Sequence, residues 1–197
     1  MCRLIAVFFI PLTVLLGVQP GYAADKPTKV VKQTPYHLYL SATEAHALKT
    51  RLGGNIFFAD VRLPAEAMFV GMADKVDANI PHELPDFNHW DEKKKTWKMK
   101  PNPGFIQQME ERLRQAGLGK DEPVILICRS GKRSTKAAGL LHELGYEKIY
   151  TVVDGFEGDK AKKGPDKGKR VVNGWKNSNL AWSYQSEKDK HSLNTNH

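Results

Sequence analysis

The stretch that decides the fold is PVILICRSGKRS, residues 123–134. In it an apolar segment is followed by a cysteine and then by the start of a helical pattern. The segment 123–127 is typical of a short buried strand in a parallel sheet. Apolar residues recur at helical spacing from Ser134 to Leu144, and Gly145 ends that pattern. Cys128 is therefore placed in the turn, where helix N-terminal N–H groups and the helix dipole stabilise an anion. We expect a nucleophilic thiolate at this position.

Helix and strand patterns alternate along the rest of the chain. Ser41-Ala42-Thr43-Glu44 is a capping box and predicts a helix from Ala42 to Leu52. The other predicted segments are a strand over 55–61, a short helix beginning at Pro64, a strand over 77–81, an irregular loop with anchoring aromatics over 82–100, a helix between Pro103 and Gly117, and a strand over 148–153. This order predicts an α/β fold with a parallel-centred sheet, helices on both faces, and ligands beyond the carboxyl ends of the strands.

The first 23 residues have the pattern of a secretory signal peptide. Arg3 supplies positive charge, Leu4 to Val18 is apolar, and small residues flank a cleavage site. An uncleaved membrane anchor is the alternative, but it needs about 20 apolar residues, and this run is shorter and interrupted by a proline. We therefore expect cleavage, a periplasmic or secreted protein, and no stable membrane anchor.

The 197 residues allow one domain with extensions at both ends. After the signal peptide we expect a flexible lead-in over 24–35 and a folded domain over 36–158. A basic and aromatic tail over 159–186 is expected to pack on the domain, with partner binding as the alternative. Residues 187–197 have the composition of a disordered end.

The two cysteines have different fates in this reading. Cys2 leaves with the signal peptide, so the mature protein carries Cys128 alone and no internal disulfide. A lone cysteine is often an inert apolar filler. Two arginines, a lysine and a glycine in the next five positions instead favour a site that handles anions.

The formal net charge of +8 and the pI of about 9.4 arise mainly from residues 93–100 and 160–176. Both segments are expected to be solvated loops without a nucleic-acid-binding fold, so we expect no nucleic-acid partner. The charge suits an anionic substrate, an acidic partner, a membrane surface, or simply solubility. The seven histidines are scattered without metal-ligand spacing, and we expect neither a metal site nor a cofactor.

Four segments together resemble a single-domain rhodanese, a thiosulfate-type sulfurtransferase, over about 36–158. They are Asp60-Val61-Arg62, Asn79-Ile80-Pro81, the loop 128–134 and Val153-Asp154-Gly155-Phe156. The resemblance implies a rhodanese fold, with a mainly parallel five-stranded sheet flanked by helices on both faces. It also implies that Cys128 takes up sulfane sulfur as a persulfide. The implied substrate-binding residues are Arg129, Ser130, Gly131, Lys132, Arg133 and Ser134.

The same resemblance places Asp60 and Arg62 near the site, where they support the loop or form an ordinary structural salt bridge. Phosphatases and arsenate reductases of the same fold have one more residue between cysteine and arginine, which makes room for a tetrahedral oxyanion. Four residues separate Cys128 from Arg133, and this shorter loop favours sulfur over phosphate.

The leading functional hypothesis is a sulfurtransferase without metal or cofactor. It would move sulfur from a small anionic donor such as thiosulfate to cyanide or to a thiol acceptor, including an exported thiol protein. The alternative is a non-catalytic sulfur carrier or docking module for an exported redox partner. A phosphatase-like activity is the third hypothesis, and the loop length argues against it.

Overall fold

The computed structural model describes residues 24–192; the expected signal peptide and residues 193–197 lie outside the described residues. In chain order the strands and helices are β1 (Tyr39–Leu40), α1 (Ala42–Leu52), β2 (Phe57–Asp60), α2 (Pro64–Val70), β3 (Met72–Ala73), β4 (Ala78–Asn79), β5 (Glu83–Asp91), β6 (Thr96–Pro101), α3 (Phe105–Gln115), β7 (Val124–Ile127), α4 (Lys132–Glu143), β8 (Ile149–Val152) and β9 (Trp182–Ser183). Short 3₁₀ turns lie between several of them.

The central sheet has the strand order β1-β8-β7-β2-β4, and all four neighbouring pairs are parallel. The predicted α/β fold with a five-stranded, mainly parallel sheet is therefore confirmed. Strand β1 was not visible in the sequence because two residues are too short to show a period. Its place at the sheet edge is set by pairing with β8.

Two apolar clusters cover the two faces of this sheet. On one face, α3 and α4 pack through residues such as Met109 and Leu141 against alternate strand side chains such as Leu126. On the other face, α1 and α2 pack against the remaining strand side chains, and Trp175 from the tail completes that layer. Helices on both faces leave the carboxyl ends of the strands as the open edge, where ligands bind in such sheets.

Local sequence signals explain the helix boundaries. Ser41 caps α1 by accepting the N–H of Glu44, and the Glu44 carboxylate accepts the N–H of Ser41. Pro64 occupies the first turn of α2, as predicted. Helix α4 begins at Lys132 rather than at Ser134, so Lys132 and Arg133 lie in its first turn.

Residues 82–100 are not the irregular loop that the sequence suggested. They form most of an antiparallel hairpin, β5 and β6, with a register shift between Asp86 and Trp90. Three aromatic rings, Phe87, Trp90 and Trp97, pack edge to face along it. They remain between 43% and 67% exposed, so they anchor the two strands to each other and not to the domain. The bulge and the prolines had hidden the two-residue period.

Two terminal expectations also need correction. The lead-in 24–35 is not free: Ala24 pairs with Tyr39, Val30–Lys32 forms a 3₁₀ turn, and Lys32 is 7% exposed. Residues 187–192, expected to be disordered, form a 3₁₀ turn at Lys188–Lys190 and contact the domain. Specific polar contacts fix both segments, and composition does not reveal such contacts.

The tail buries one aromatic residue fully. Trp175 is 0% exposed, and its ring nitrogen donates to the carbonyl of Ala181. Trp182 lies on β9, which pairs with β3, while Tyr184 stays 57% exposed. No helix among residues 24–192 is long and apolar enough to cross a membrane.

Candidate functional site

The candidate site lies at the carboxyl end of β7, the middle strand of the sheet. Cys128 follows β7 directly, and the neighbouring strand β2 ends at Asp60, which is in register with Ile127. Because parallel strands end at one edge, residues distant in sequence are brought together here. The structure thus places Asp60 and Arg62 at the same edge as the loop 128–134.

The thiol of Cys128 is held inside a tight loop. The N–H of Gly131 donates to Cys128 Sγ at 3.2 Å, and Ser134 Oγ lies 3.6 Å from the same sulfur. Ser134 Oγ also donates to the Gly131 carbonyl at 3.1 Å. The cysteine is only 1% exposed. The Gly131 N–H donor can stabilise a negative charge on the sulfur, and Ser134 holds the Gly131 backbone in place through its bond to the carbonyl.

Two glycines allow the chain to close around this loop. Gly131 has φ +93°, and an added Cβ would lie 2.4 Å from the carbonyl oxygen of Val153. Gly155 has φ +67°, and its Cβ would lie 2.5 Å from the carbonyl oxygen of Cys128. The adjacent N–H of Phe156 donates to that same carbonyl at 2.8 Å. The segment after β8 therefore holds the backbone of the reactive loop in place.

Arg133 is committed to a partner that the sequence did not reveal. Its two terminal nitrogens donate to the two carboxylate oxygens of Glu66, each at 2.6 Å. Both side chains are mostly buried. Burial lowers the pKa of Arg133, but the hydrogen bonds and charge of Glu66 raise it by more, so the net effect is a raised pKa. The expected role of Arg133 as a free anion ligand is not supported by this geometry. It ties the first turn of α4 to α2.

The Glu66–Arg133 pair predicts a specific acid sensitivity. Burial raises the pKa of Glu66, but the Arg133 hydrogen bonds and charge outweigh burial and lower it below its ordinary 4.5. Its stabilising contribution is therefore complete above pH 4.5 and is lost as pH falls through the lower folded-state pKa.

We expect Glu66→Gln to cost about 2–4 kcal/mol at pH 7, because a mostly buried arginine loses its counter-charge. Urea unfolding of both proteins from pH 7 to pH 3 measures this cost, which should shrink below pH 4.5. Glu111→Gln, which removes an exposed carboxylate bonded to Arg114, is the matched control and should change the free energy of unfolding far less, because solvent screens that pair. A cost for Glu66→Gln that is constant with pH would contradict the ion pair.

Asp60 and Arg62 form a fully buried ion pair. Arg62 donates to both Asp60 oxygens and to the carbonyl of Gly71, and burial lowers the arginine's pKa while Asp60 raises it, with a net rise. The guanidinium carbon lies 4.2 Å from the centroid of the Phe156 ring. Since Phe156 N–H bonds to the Cys128 carbonyl, this pair is connected to the loop through packing. The structural ion pair is present, and support of the loop by this pair stays a prediction.

The remaining predicted loop cations, Arg129 and Lys132, are exposed, and Ser130 is half-buried. Two further cations lie at this edge of the sheet, and the sequence did not predict them as part of the site. Lys32 Nζ donates to the carbonyl of Val153 at 2.7 Å, and Arg170 donates to the carbonyl of Gly158. Burial and, next, the charge of Arg129 lower the pKa of Arg170. Both cations come from segments whose composition suggested solvated chain.

The histidines among residues 24–192 lie without a hydrogen bond to the Cys128 sulfur. His142 instead bonds to Tyr36. His82 is 5% exposed, its Nδ1 has no hydrogen-bond partner, and burial lowers its pKa. The described residues also contain no group of His, Cys, Asp or Glu that could hold a metal ion.

Comparisons with known proteins agree with this architecture. A family model described as a rhodanese-like domain matches residues 44–162. An uncharacterized protein of Rickettsia prowazekii is 30% identical over 139 residues, which cover 68% of this chain and 87% of that protein. The crystal structure of Rv0390 from M. tuberculosis superposes with a TM-score of 0.52 at 27% identity, covering 76% of this chain and 99% of the other.

A relative with a named activity matches a shorter stretch. The thiosulfate sulfurtransferase GlpE of Tolumonas auensis is 44% identical over 56 residues, which are 28% of this chain and 44% of that protein. The chain therefore matches less than half of that enzyme's length.

Proposed function

The chain belongs to the family of rhodanese-like domains, and from this premise we propose that Cys128 carries sulfane sulfur from an anionic donor to a nucleophilic acceptor. A sulfur-transfer role follows from the family and from the sulfurtransferase relatives. The observation that carries the residue assignment is the Gly131 N–H directed at Cys128 Sγ at 3.2 Å. That donor lies where negative charge on sulfur needs support in both halves of the reaction.

In the first half-reaction the Cys128 thiolate attacks the outer sulfur of thiosulfate. A new S–S bond forms to Cys128, the sulfur–sulfur bond of thiosulfate breaks, and its electron pair leaves with sulfite. The product on the protein is a persulfide anion, which carries the same single charge as the thiolate. The loop therefore needs no rearrangement of charge between the two states.

In the second half-reaction a nucleophile attacks the outer sulfur of the persulfide. Cyanide leaves as thiocyanate, a thiolate leaves as its own persulfide, and the electron pair of the broken bond returns to Cys128. Neither step transfers a proton when the nucleophiles are already anions. A site without a bonded histidine is sufficient for this chemistry.

Anion binding in this proposal falls to Arg129 and Lys132, the exposed cations of the loop, and not to Arg133. Ser130, Gly131 and Ser134 contribute the tight curvature of the loop and its hydrogen bonds. Four residues between Cys128 and Arg133 leave a small loop, which suits a single sulfur atom better than a phosphoryl group.

Initial-rate kinetics with thiosulfate and cyanide test this proposal. Two separate half-reactions predict parallel double-reciprocal lines when each substrate is varied at several fixed concentrations of the other. Thiocyanate formation is followed colorimetrically. Intersecting lines would require both substrates to bind together and would contradict the persulfide route.

A non-catalytic carrier is the second candidate. The 1% exposure of Cys128 and the exposed rings of Phe87, Trp90 and Trp97 favour it, because a sheltered sulfur and an exposed aromatic surface suit docking of a partner. A carrier forms the persulfide from thiosulfate but turns over negligibly with cyanide and with small thiols. The same kinetic experiment therefore separates the two candidates.

A further inference from the structure

A cavity much larger than a small sulfur donor adjoins the reactive loop. Its volume is about 1070 Å³, and Ser130 and Lys132 form part of its wall. Drug-sized ligands occupy pockets of about 300–1,000 Å³, so an ion such as thiosulfate would leave most of this space unfilled. Cys128 is not among the described residues that line the cavity; the cavity reaches the loop at Ser130.

The cavity walls come mainly from outside the catalytic loop. One wall is the lead-in segment, residues 25–32, and the other is the segment 159–173. The second wall is structured: Lys160 and Arg170 form an antiparallel bridge, and Ala161 exchanges backbone hydrogen bonds with Lys169 and Gly168. Most of this wall lies beyond residue 162, where the family match ends. Most of the cavity lining therefore lies outside the residues that the family model matches.

The cavity is strongly basic. Seven of its lining residues are lysine or arginine and three are aspartate. Two of the aspartates are already engaged: Asp154 accepts the N–H groups of Ala42 and Gly174, and Asp159 lies 3.5 Å from Lys32 Nζ. With seven cations and three carboxylates, the lining keeps a formal excess of four positive charges.

Three lysines of the second wall have no carboxylate partner in the described part of the chain. Within residues 24–192, Lys160, Lys162 and Lys167 form no ion pair, and all three are exposed. Arg170 is half-buried and likewise forms no ion pair within residues 24–192; burial and, next, the charge of Arg129 lower its pKa. Unpaired cations around a concave surface attract an extended anion rather than a single small one.

The lining distinguishes between classes of anion. The described lining residues include no aromatic side chain on which a nucleic-acid base could stack. A bilayer surface cannot enter a concavity between two chain segments. Aliphatic side chains such as Val153 and Val172 lie among the cations. Carboxylates on a flexible backbone fit this mixture of spaced charge and aliphatic surface.

We infer that this basic cavity binds an acidic polypeptide segment of a protein thiol that accepts the sulfur from Cys128. The inference rests on the proposed sulfur transfer. The bound segment brings its thiolate to the loop at Ser130, where it attacks the outer sulfur of the persulfide. A sulfur–sulfur bond forms on the partner, the bond to Cys128 breaks, and its electron pair returns to Cys128.

The test uses two synthetic peptides of equal length with one cysteine each, one flanked by Asp and Glu and one by Ser and Gln. With thiosulfate as donor, kcat/KM for the acidic peptide should exceed that for the neutral peptide at least tenfold. This advantage should disappear between about 0.05 M and about 0.5 M salt. Fluorescence anisotropy of labelled peptides measures binding independently of turnover.

Two triple variants with equal charge change locate the effect. Lys160→Gln/Lys162→Gln/Lys167→Gln should weaken binding of the acidic peptide at least tenfold and raise its KM. The control Lys93→Gln/Lys98→Gln/Lys100→Gln, on the β5–β6 hairpin, should leave both values within about twofold, since its charges lie outside the cavity.

Equal effects of the two triple variants would overturn the inference and leave only general attraction to a basic protein. Equal kcat/KM values for the two peptides at low salt would overturn it as well. In either case, if the protein still forms thiocyanate from thiosulfate and cyanide, the proposed function stands and only the peptide inference fails. Tight, cavity-dependent peptide binding without sulfur transfer to any acceptor would instead refute the proposed function.

Discussion

Cys128→Ser is expected to abolish sulfur transfer, lowering thiocyanate formation to the uncatalysed rate, while the protein stays folded. A serine hydroxyl is not ionised near neutral pH and cannot form a persulfide, so no part of the two-step route survives. The substitution is small, and the Gly131 N–H that donates to Cys128 Sγ can donate to the new oxygen. The expected loss of stability is about 1–2 kcal/mol, measured by urea unfolding.

Ser134→Ala is the matched control for this experiment. It removes a hydroxyl 3.6 Å from Cys128 Sγ and keeps the thiol. The hydroxyl donates to the Gly131 carbonyl, so the variant loses one neutral hydrogen bond worth about 0.5–1.5 kcal/mol, which corresponds to roughly a twofold to tenfold lower rate. Residual activity of Cys128→Ser equal to that of Ser134→Ala would show that the sulfur is carried elsewhere.

Gly155→Ala is expected to damage both stability and activity. The new Cβ would lie 2.5 Å from the Cys128 carbonyl oxygen and 2.6 Å from both Arg129 C and Ser130 N, at φ +67°. The contacts are with backbone, so the reactive loop itself must move. A left-handed conformation costs about 1–2 kcal/mol for a residue with a Cβ, and forced displacement of packed atoms adds about 1–3 kcal/mol. We expect a total near 3 kcal/mol and at least a hundredfold fall in kcat.

Gly139→Ala provides the control within α4. No heavy atom lies within 4 Å of its added Cβ, and alanine favours a helix by about 1 kcal/mol over glycine. Urea unfolding should show a small gain in stability, with unchanged thiocyanate formation. If Gly155→Ala behaved in the same way, the close packing between the segment after β8 and the loop would not matter for the site.

The parts of the fold that were predictable are those with local signals. The strand–turn–helix around Cys128 shows both periods within a dozen residues, and the capping box at Ser41 marks the start of α1. The site cysteine and its loop follow from that local pattern. The parallel sheet follows from the alternation of elements.

The residues that complete the site had no local signal. Glu66 bonds to Arg133 across 67 positions, and Lys32 reaches Val153 across 121 positions. Each was visible only as a charge in a helix start or in a basic, proline-containing segment. Their roles depend on which segments meet at the sheet edge, and a single sequence does not contain that information.

The β5–β6 hairpin was not predicted from the sequence for a different reason. Its strands were interrupted by Pro85, by the register shift before Trp90 and by a lysine-rich turn with Lys95 at φ +52°. Each of these interruptions is also typical of a loop. Pairing between the two strands overrode these local preferences.

Mass spectrometry of the protein after incubation with thiosulfate tests the central claim most directly. We predict one added sulfur atom, localised to the peptide that contains Cys128, removed by cyanide and absent from Cys128→Ser. An unmodified Cys128 after thiosulfate treatment, under conditions where the protein forms thiocyanate, would contradict the account.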